Sequence, residues 1–231
     1  SYNQIFKKIF FTHVKKKIIN CHAGALPYYR GRSPINWAII NGEKKIGITT
    51  HLVNSKIDRG DILDQRFIKI KKNDNFKTIL KKCYKICPIQ LHMVLNKIKN
   101  KSIRPIKQSS ISVKGSYYFK RKKGDELINF NNNYRALNNF VRGLVFPSVG
   151  ASFFYKKKIY SVIHSNLSKK SENIIGIENG TILNVAKKNL RVKIYNSIII
   201  LSKIFCKKKN FYVKDLRKIF KKNHLLIGSN V

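Results

Sequence analysis

The sequence predicts an α/β fold in its first half and a small β-rich module in its second half. In the first half, apolar strand-like runs alternate with segments of helical periodicity. After residue 150, short apolar runs follow one another closely, as in a small antiparallel sheet. With 231 residues, 43% of them hydrophobic, the chain can bury a core and hold one large domain or two small ones.

The first elements are predicted from hydrophobic periodicity and from the positions of glycine and proline, which mark loops and helix ends. Residues 2–14 have a helical pattern, and residues 17–20 form a short buried strand. Residues 23–32 carry glycine and proline, and therefore form a loop. Ser33-Pro34 then opens a helix in the favoured order of N-cap and first-turn proline, and Gly42 ends it.

Two strands and a long helix complete the first half. The strands cover residues 46–53 and 62–70. Asp74 or Asn75 caps a helix that runs toward residue 100, in which Pro88 marks a kink or a break.

The second half begins after a polar, serine-rich connector at residues 101–116. A helix at residues 133–145 precedes four short strand candidates, which cover residues 152–155, 159–164, 180–185 and 190–194. We therefore expect a first domain over residues 1–108. A linker, a helix and a small β-rich C-terminal domain fill residues 109–231.

The chain is strongly basic, with 49 Lys and Arg against 10 Asp and Glu, a net charge of +39. Such a charge is typical of nucleic-acid binding. However, Lys, Asn and Ile are abundant together, and all three are written with A/T-rich codons. Lys also greatly outnumbers Arg, whereas proteins that recognise phosphates and bases favour Arg, whose guanidinium can donate two hydrogen bonds to one partner. We interpret the charge as compositional drift, with selected polyanion binding as the alternative.

Other classes of protein are not expected. The chain has no apolar run of about 18 residues, since its tract at residues 197–205 is interrupted by Lys203, so no membrane span is predicted. The N-terminal segment lacks a secretory cleavage pattern, which favours a cytoplasmic location. The four cysteines form no CxxC motif, and we predict neither a metal site nor a disulfide.

Three polar residues indicate acyl-transfer chemistry. Asn20 and His22 lie two positions apart at the end of a strand-like run, so they project from the same face. A neutral amide donor can steady a developing oxyanion while an imidazole takes a proton. Asp58, after a later strand, can orient or balance the histidine. Acids are scarce in this chain, yet three of them fall between residues 58 and 64.

At these residues the chain resembles the formyltetrahydrofolate-dependent formyltransferases. That family includes methionyl-tRNA formyltransferase and the sugar-nucleotide N-formyltransferases. The resemblance is carried by three blocks in the family's order: Asn20-Cys21-His22, then Leu26-Pro27-Tyr28-Tyr29-Arg30-Gly31, then Asp58-Arg59-Gly60-Asp61. It extends from about residue 1 to about residue 165.

The resemblance implies a partial, Rossmann-like formyltransferase catalytic domain followed by an OB-like C-terminal module. The family's first strands and helices, which precede the Asn-x-His strand, have no counterpart in this sequence. We therefore expect an N-terminally truncated catalytic domain with an open sheet edge. Such an edge favours association, so a homodimer is left open.

The resemblance also assigns the site. His22 is the expected base, Asn20 the oxyanion donor and Asp58 their partner. The expected substrate- and cofactor-binding residues follow in the loop and the next helix: Leu26, Pro27, Tyr29, Arg30, Gly31, Arg32, Asn36 and Trp37. For Arg30 the alternative is loop anchoring, and for Trp37 it is the core of its helix. His51 is expected to pack in its strand.

The implied reaction moves a formyl group from 10-formyltetrahydrofolate to the primary amine of a dTDP- or UDP-linked amino sugar, for surface polysaccharide. Residues 30–37, with the sequence RGRSPINW, resemble the sugar-nucleotide branch of the family. One alternative is a methionyl-tRNA formyltransferase with tRNA as partner. A second alternative is an inactive remnant or a polyanion-binding protein.

Overall fold

The computed structural model describes residues 18–169, 172–207 and 211–229. The helix predicted at residues 2–14 lies outside these residues. The chain divides into two compact units. Among the described residues, the first unit comprises residues 18–38, 43–74 and 78–121. The second comprises those from residue 122 onward, together with residues 39–42 and 75–77.

The elements of the first half alternate as the sequence predicted. They are, in chain order, β1 (Ile19–His22), β2 (Arg30–Gly31), α1 (Pro34–Ile40), β3 (Lys45–Leu52), β4 (Ile62–Lys69), α2 (Phe76–Lys99) and β5 (Tyr117–Tyr118). Strands β1, β3 and β4 form an antiparallel sheet in that order, and β2 pairs with β5 in parallel. Strand β1 begins two residues later than expected and is mostly half-buried, since it lies at a sheet edge in this part of the chain.

Helix α2 packs on one face of the three-stranded sheet. The amide of Gln90 donates to the carbonyl oxygens of Ile48 and Asp64, each at 3.1 Å, and this fixes the helix across β3 and β4. The helix is continuous through Pro88, so the break, one of the two predicted alternatives, is not observed. Asp74 precedes it as predicted, and its carboxylate accepts from the Thr78 hydroxyl at 2.9 Å. None of the helices in the described residues is both long and apolar enough to cross a membrane.

The second unit is β-rich, as predicted. Its elements are α3 (Tyr134–Gly143), β6 (Ala151–Tyr155), β7 (Lys158–Leu167), β8 (Ile182–Val185), β9 (Asn189–Ile194), β10 (Ser197–Cys206) and β11 (Phe211–Tyr212). The antiparallel sheet has the order β6–β7–β10–β9–β8, and β11 pairs with β10. The side chain of Asn133 caps α3 by accepting from the Ala136 amide. The core lies between α3 and the sheet, where Leu137 and Val141 join apolar residues of the strands.

The central strand of this sheet, β10, was not among the strand candidates. It coincides with the apolar tract that was considered only as a membrane span. Lys203, which interrupts the tract, is exposed and has a positive φ, whereas Ile199 and Leu201 are fully buried. The continuous apolar run therefore marks a strand with buried residues on both faces, such as Ile198 and Ile199.

Candidate active site

The loop between β1 and α1 lies over the sheet face opposite to α2. Thr49 holds it there, since its hydroxyl donates to the Gly24 carbonyl at 2.6 Å and accepts from the Leu26 amide at 3.3 Å. The Gln65 amide donates to the Thr49 hydroxyl and to the Leu26 carbonyl. Leu26 and Pro27, both predicted to bind substrate, are buried in the base of this loop. They fix the path of the loop.

Four polar side chains converge under this loop. Asn20 and His22 lie on β1, and His51 lies on β3 directly opposite Asn20 in the strand register. Asp58 follows β3. Its carboxylate lies 3.6 Å from Nδ1 of His22 and 3.7 Å from Nε2 of His51. The Asn20 amide nitrogen lies 3.3 Å from Nε2 of His51. The three predicted catalytic residues are therefore brought together, with His51 as a fourth member.

Asp58 connects this cluster to the loop. Its backbone has a φ of 51°, an uncommon conformation for a residue with a side chain. Its Oδ2 atom accepts from the Gly31 amide at 2.8 Å. The turn that carries Asp58 is close to β3, because a Cβ atom at Gly60 would lie 1.8 Å from the Leu52 carbonyl oxygen. Glycine at that position is thus needed for Asp58 to reach both histidines.

His51 is a neutral hydrogen-bond acceptor in this cluster. Its Nδ1 donates to the Leu52 carbonyl at 2.7 Å, which leaves Nε2 with a lone pair toward the Asn20 amide. Burial lowers the pKa of His51, and nearby His22 lowers it further, against the opposing effects of the Leu52 carbonyl and Asp58. The expectation that His51 only packs was therefore incomplete. Its position opposite Asn20 depends on the strand register, which the structure provides and local sequence patterns do not.

His22 has a different arrangement. Its Nε2 donates to the Tyr29 carbonyl at 2.7 Å, so its Nδ1 is the free basic atom and faces Asp58. Gly24 makes room for this contact, because a Cβ atom there would lie 2.6 Å from Nε2 of His22 and 2.7 Å from the Tyr29 oxygen. A proton taken up at Nδ1 forms an ion pair with the Asp58 carboxylate.

Asn20 is oriented by its contact with His51. One hydrogen of its side-chain amide points to Nε2 of His51, which leaves the second hydrogen for another acceptor. An amide donor beside a basic imidazole and a carboxylate is the set of groups that acyl transfer to an amine requires.

Arg30 is held inside the protein. Its side chain is 4% exposed, and its guanidinium donates twice to Oε1 of Gln108, at 3.0 and 2.7 Å, and once to the Lys114 carbonyl. The Gln108 amide in turn donates to the carbonyl oxygens of Asp58 and Gly60, both at 2.8 Å. These contacts favour loop anchoring, the alternative left open for Arg30. Gln108 carried no motif signal in the sequence.

The remaining predicted binding residues lie around an aromatic stack. The Tyr118 ring stacks on Tyr29 and on Trp37, with both pairs of centroids 5.1 Å apart. The Arg121 guanidinium lies 5.2 Å from the Trp37 ring centroid. Trp37 is half-buried, Asn36 is buried and Arg32 is exposed. The stack includes Tyr118, which the sequence did not single out.

Among the described residues, no group of three or more His, Cys, Asp or Glu side chains is arranged to hold a metal ion.

Comparisons with known proteins agree with this architecture. The family model described as formyl transferase matches residues 1–95. The model described as the formyl transferase C-terminal domain matches residues 120–221. The two matches fall on the α/β part and on the β-rich part of the chain.

Two relatives show the extent of the similarity. The bifunctional polymyxin resistance protein ArnA of Wigglesworthia glossinidia brevipalpis is 36% identical over 214 residues, which cover 92% of this chain and 29% of that protein. The methionyl-tRNA formyltransferase of Clostridium tetani is 33% identical over 216 residues, 93% of this chain and 68% of that enzyme. The chain spans 29 to 61% of the length of the first three curated relatives that it matches.

A solved structure shows the same fold. The N-formyltransferase from Helicobacter canadensis, in complex with folinic acid and dTDP-3-aminofucose, has a TM-score of 0.69 at 23% identity. The match covers 88% of this chain and 71% of that one. Fold, site and matches together define a chain with an α/β part that carries the polar cluster and a β-rich C-terminal part. The chain belongs to the formyl transferase family.

Proposed function

We propose that this protein transfers a formyl group from 10-formyltetrahydrofolate to the primary amine of a nucleotide-linked amino sugar, in the cytoplasm. The observation that carries the proposal is the convergence of Asn20, His22 and Asp58 at one point under the loop. The H. canadensis enzyme, which shares the fold, holds a folate and a dTDP-amino sugar in its structure.

The reaction uses each group at a defined atom. The amine nitrogen attacks the formyl carbon, and the carbonyl oxygen becomes an oxyanion that accepts from the free hydrogen of the Asn20 amide. Nδ1 of His22 takes the proton of the attacking amine, and the resulting imidazolium is balanced by Asp58 at 3.6 Å. The bond between the formyl carbon and the folate nitrogen then breaks, and that nitrogen receives the proton from His22.

The amino-sugar acceptor is supported by the segment RGRSPINW at residues 30–37. In the structure Trp37 of this segment belongs to the Tyr29–Tyr118–Trp37 stack, and Arg32 is exposed in the loop above the cluster. Aromatic faces and a guanidinium suit a base and a diphosphate, respectively. The chain's excess of positive charge favours an anionic acceptor of this kind.

A second candidate, methionyl-tRNA formyltransferase, is favoured by a separate observation. Proteins of that name are 30 to 35% identical to this chain. A net charge of +39 also suits a polyanionic acceptor. The two candidates share the formyl donor and the proposed catalytic residues, and they differ in the acceptor.

The test incubates the full chain with 10-formyltetrahydrofolate and either dTDP- and UDP-amino sugars or charged initiator tRNA. We expect formylation of an amino sugar. We also expect Asn20→Ala to lower kcat by about 100- to 1000-fold, as for loss of an oxyanion donor. His164→Ala, on the exposed face of β7, is the control and should leave the rate unchanged. Formylation of tRNA alone contradicts the acceptor assignment, and no transfer to either supports the inactive remnant.

A further inference from the structure

His51 is the member of the polar cluster to which the proposed mechanism gives no role. Its side chain is 2% exposed, and its register partner on β4 is the apolar Ile62. Toward β1 it faces the His22 ring, with the two centroids 6.4 Å apart, and the Asn20 amide nitrogen, which lies 3.3 Å from its Nε2. The Asp58 carboxylate lies 3.7 Å from the same Nε2. Of these groups, the Asn20 amide is the one within hydrogen-bonding distance of Nε2.

The backbone of Leu52 decides which nitrogen of His51 is the acceptor. A carbonyl oxygen can only accept, so the contact of Nδ1 with the Leu52 oxygen at 2.7 Å requires the proton on Nδ1. The neutral ring then has its lone pair on Nε2. Leu52 is also tied to the turn that carries Asp58, because its amide donates to the Asp61 carbonyl at 2.9 Å. The end of β3 therefore fixes both the imidazole and the turn.

The lone pair on Nε2 determines which way round the Asn20 amide lies. A side-chain amide has a donor end and an acceptor end, and a half-turn about its last bond exchanges them. An acceptor on His51 favours the donor end at that position, and the planar amide then fixes the direction of its second hydrogen. The reversed amide would present an oxygen, which repels an oxyanion.

We propose that His51 is a positioning residue for formyl transfer, which holds the donor end of the Asn20 amide toward the oxyanion. This inference rests on the proposed function. His51 acts through Asn20, and the contact of Asn20 with the substrate oxygen gains strength as charge develops in the transition state. We therefore expect loss of the His51 contact to lower kcat and to change KM little.

Two amide replacements separate the two hydrogen bonds of His51. The terminal amide of Gln reaches the place of Nε2, where its oxygen can accept from Asn20. The shorter amide of Asn reaches only the place of Nδ1, where it can donate to the Leu52 carbonyl. We expect His51→Asn to lower kcat by about 10- to 100-fold, part of the loss for a missing oxyanion donor, with KM changed by less than about twofold. His51→Gln should recover most of the rate. Equal losses in the two variants would overturn the proposal.

A double variant tests whether His51 acts through Asn20. In an Asn20→Ala background no amide remains to be positioned, so adding His51→Asn should lower kcat by less than about twofold more. His164→Asn, at an exposed position of β7, is the matched control for removing an imidazole, and it should change neither background. A further loss as large as in the parent chain would place the action of His51 elsewhere, such as on Asp58, and would overturn the proposal.

NMR measures the same arrangement without turnover. In the isotope-labelled full chain at about pH 7.5, long-range proton–nitrogen correlations should show a neutral His51 with its proton on Nδ1. The side-chain amide resonances of Asn20, assigned by their loss in Asn20→Ala, should shift in His51→Asn and stay near the parent positions in His51→Gln. A proton on Nε2 of His51, or Asn20 resonances that no variant shifts, would overturn the proposal even in an active chain. The expected spectra in a chain that formylates no acceptor would refute the proposed function and still support the hold of His51 on Asn20.

Discussion

At the scale of single residues, Asp58 does more than its sequence context suggested. Asp-Arg-Gly-Asp is also an ordinary turn, yet the folded turn directs the Asp58 carboxylate to two imidazoles and to the Gly31 amide. The carboxylate is 14% exposed, so its interaction with an imidazolium is weakly screened. It lies 3.6 Å from Nδ1 of His22, and it holds the loop above through the Gly31 amide.

Replacing Asp58 by Asn separates these two roles. The Asn side chain retains an oxygen for the Gly31 amide but has no charge to balance the imidazolium at 3.6 Å. We expect kcat to fall by about 100-fold or more with the thermal midpoint nearly unchanged. Asp61→Asn, in the same turn but outside the cluster, is the control for steady-state kinetics. An equal loss in both variants would show that the charge of Asp58 has no special role.

The lowered pKa of His51 makes the free energy of unfolding depend on pH. Because burial lowers its pKa in the folded state, the unfolded chain binds more protons as the pH falls below about 6.5, and the free energy of unfolding decreases. His51→Gln keeps an acceptor for the Asn20 amide but does not titrate. In denaturant titrations at about pH 7.5 and about pH 5.5, this variant should lose less stability than the parent chain.

The control for that comparison is His164→Gln, which changes an exposed histidine of β7. It should lose as much stability on acidification as the parent chain. If His51→Gln also does so, His51 is not the neutral acceptor that its hydrogen bonds indicate.

At the scale of elements, Gln108 connects the loop after β1 with the turn after β3. Its single side chain accepts two hydrogen bonds from Arg30 and donates two to backbone carbonyls of the Asp58 turn. Arg30 therefore has a buried charge, and one neutral residue, Gln108, accepts two of its hydrogen bonds. Removal of that residue leaves a buried charge poorly solvated.

Gln108→Ala should reduce both stability and activity. We expect a loss of about 3 kcal/mol in the free energy of unfolding, since hydrogen bonds to a buried charged group are removed together. The rate should fall as well, because the Asp58 turn loses two anchors. Ser109→Ala, at the exposed neighbouring position, is the control in chemical denaturation and rate assays. Unchanged stability in Gln108→Ala would contradict the bridging role.

Local patterns were sufficient for most elements, and the motif blocks marked three polar residues that the fold brings together. Ser33-Pro34 and Asn133 mark helix starts where the structure has them, since capping is decided within one turn. Contacts far apart in sequence were not predictable in this way. The His51 and Gln108 contacts depend on strand register and on chain segments 50 or more positions apart, such as Gln108 with Asp58. Strand β10 was missed because its apolar residues follow one another without polar alternation, as in a strand that is buried on both faces.

At the scale of the whole molecule, the distribution of charge bears on the choice between an amino sugar and tRNA as the acceptor. Ten acidic residues stand against 49 basic ones, and three of the ten lie between residues 58 and 64. The basic residues are spread over both units, from Lys44 and Lys45 to Lys221 and Lys222. A spread of this kind attracts any polyanion, and it does not by itself select one RNA.

Compositional drift therefore predicts RNA binding that depends on salt but not on sequence. Initiator tRNA and an unrelated RNA of equal length should bind with dissociation constants within about threefold, and both affinities should fall steeply with salt as counterions are released. Filter binding or fluorescence anisotropy over a salt series measures both. The KM for an amino-sugar nucleotide should rise far less, because a diphosphate displaces fewer counterions. If initiator tRNA binds about tenfold tighter at every salt concentration, the charge has been selected for that RNA, and the tRNA acceptor replaces the sugar nucleotide.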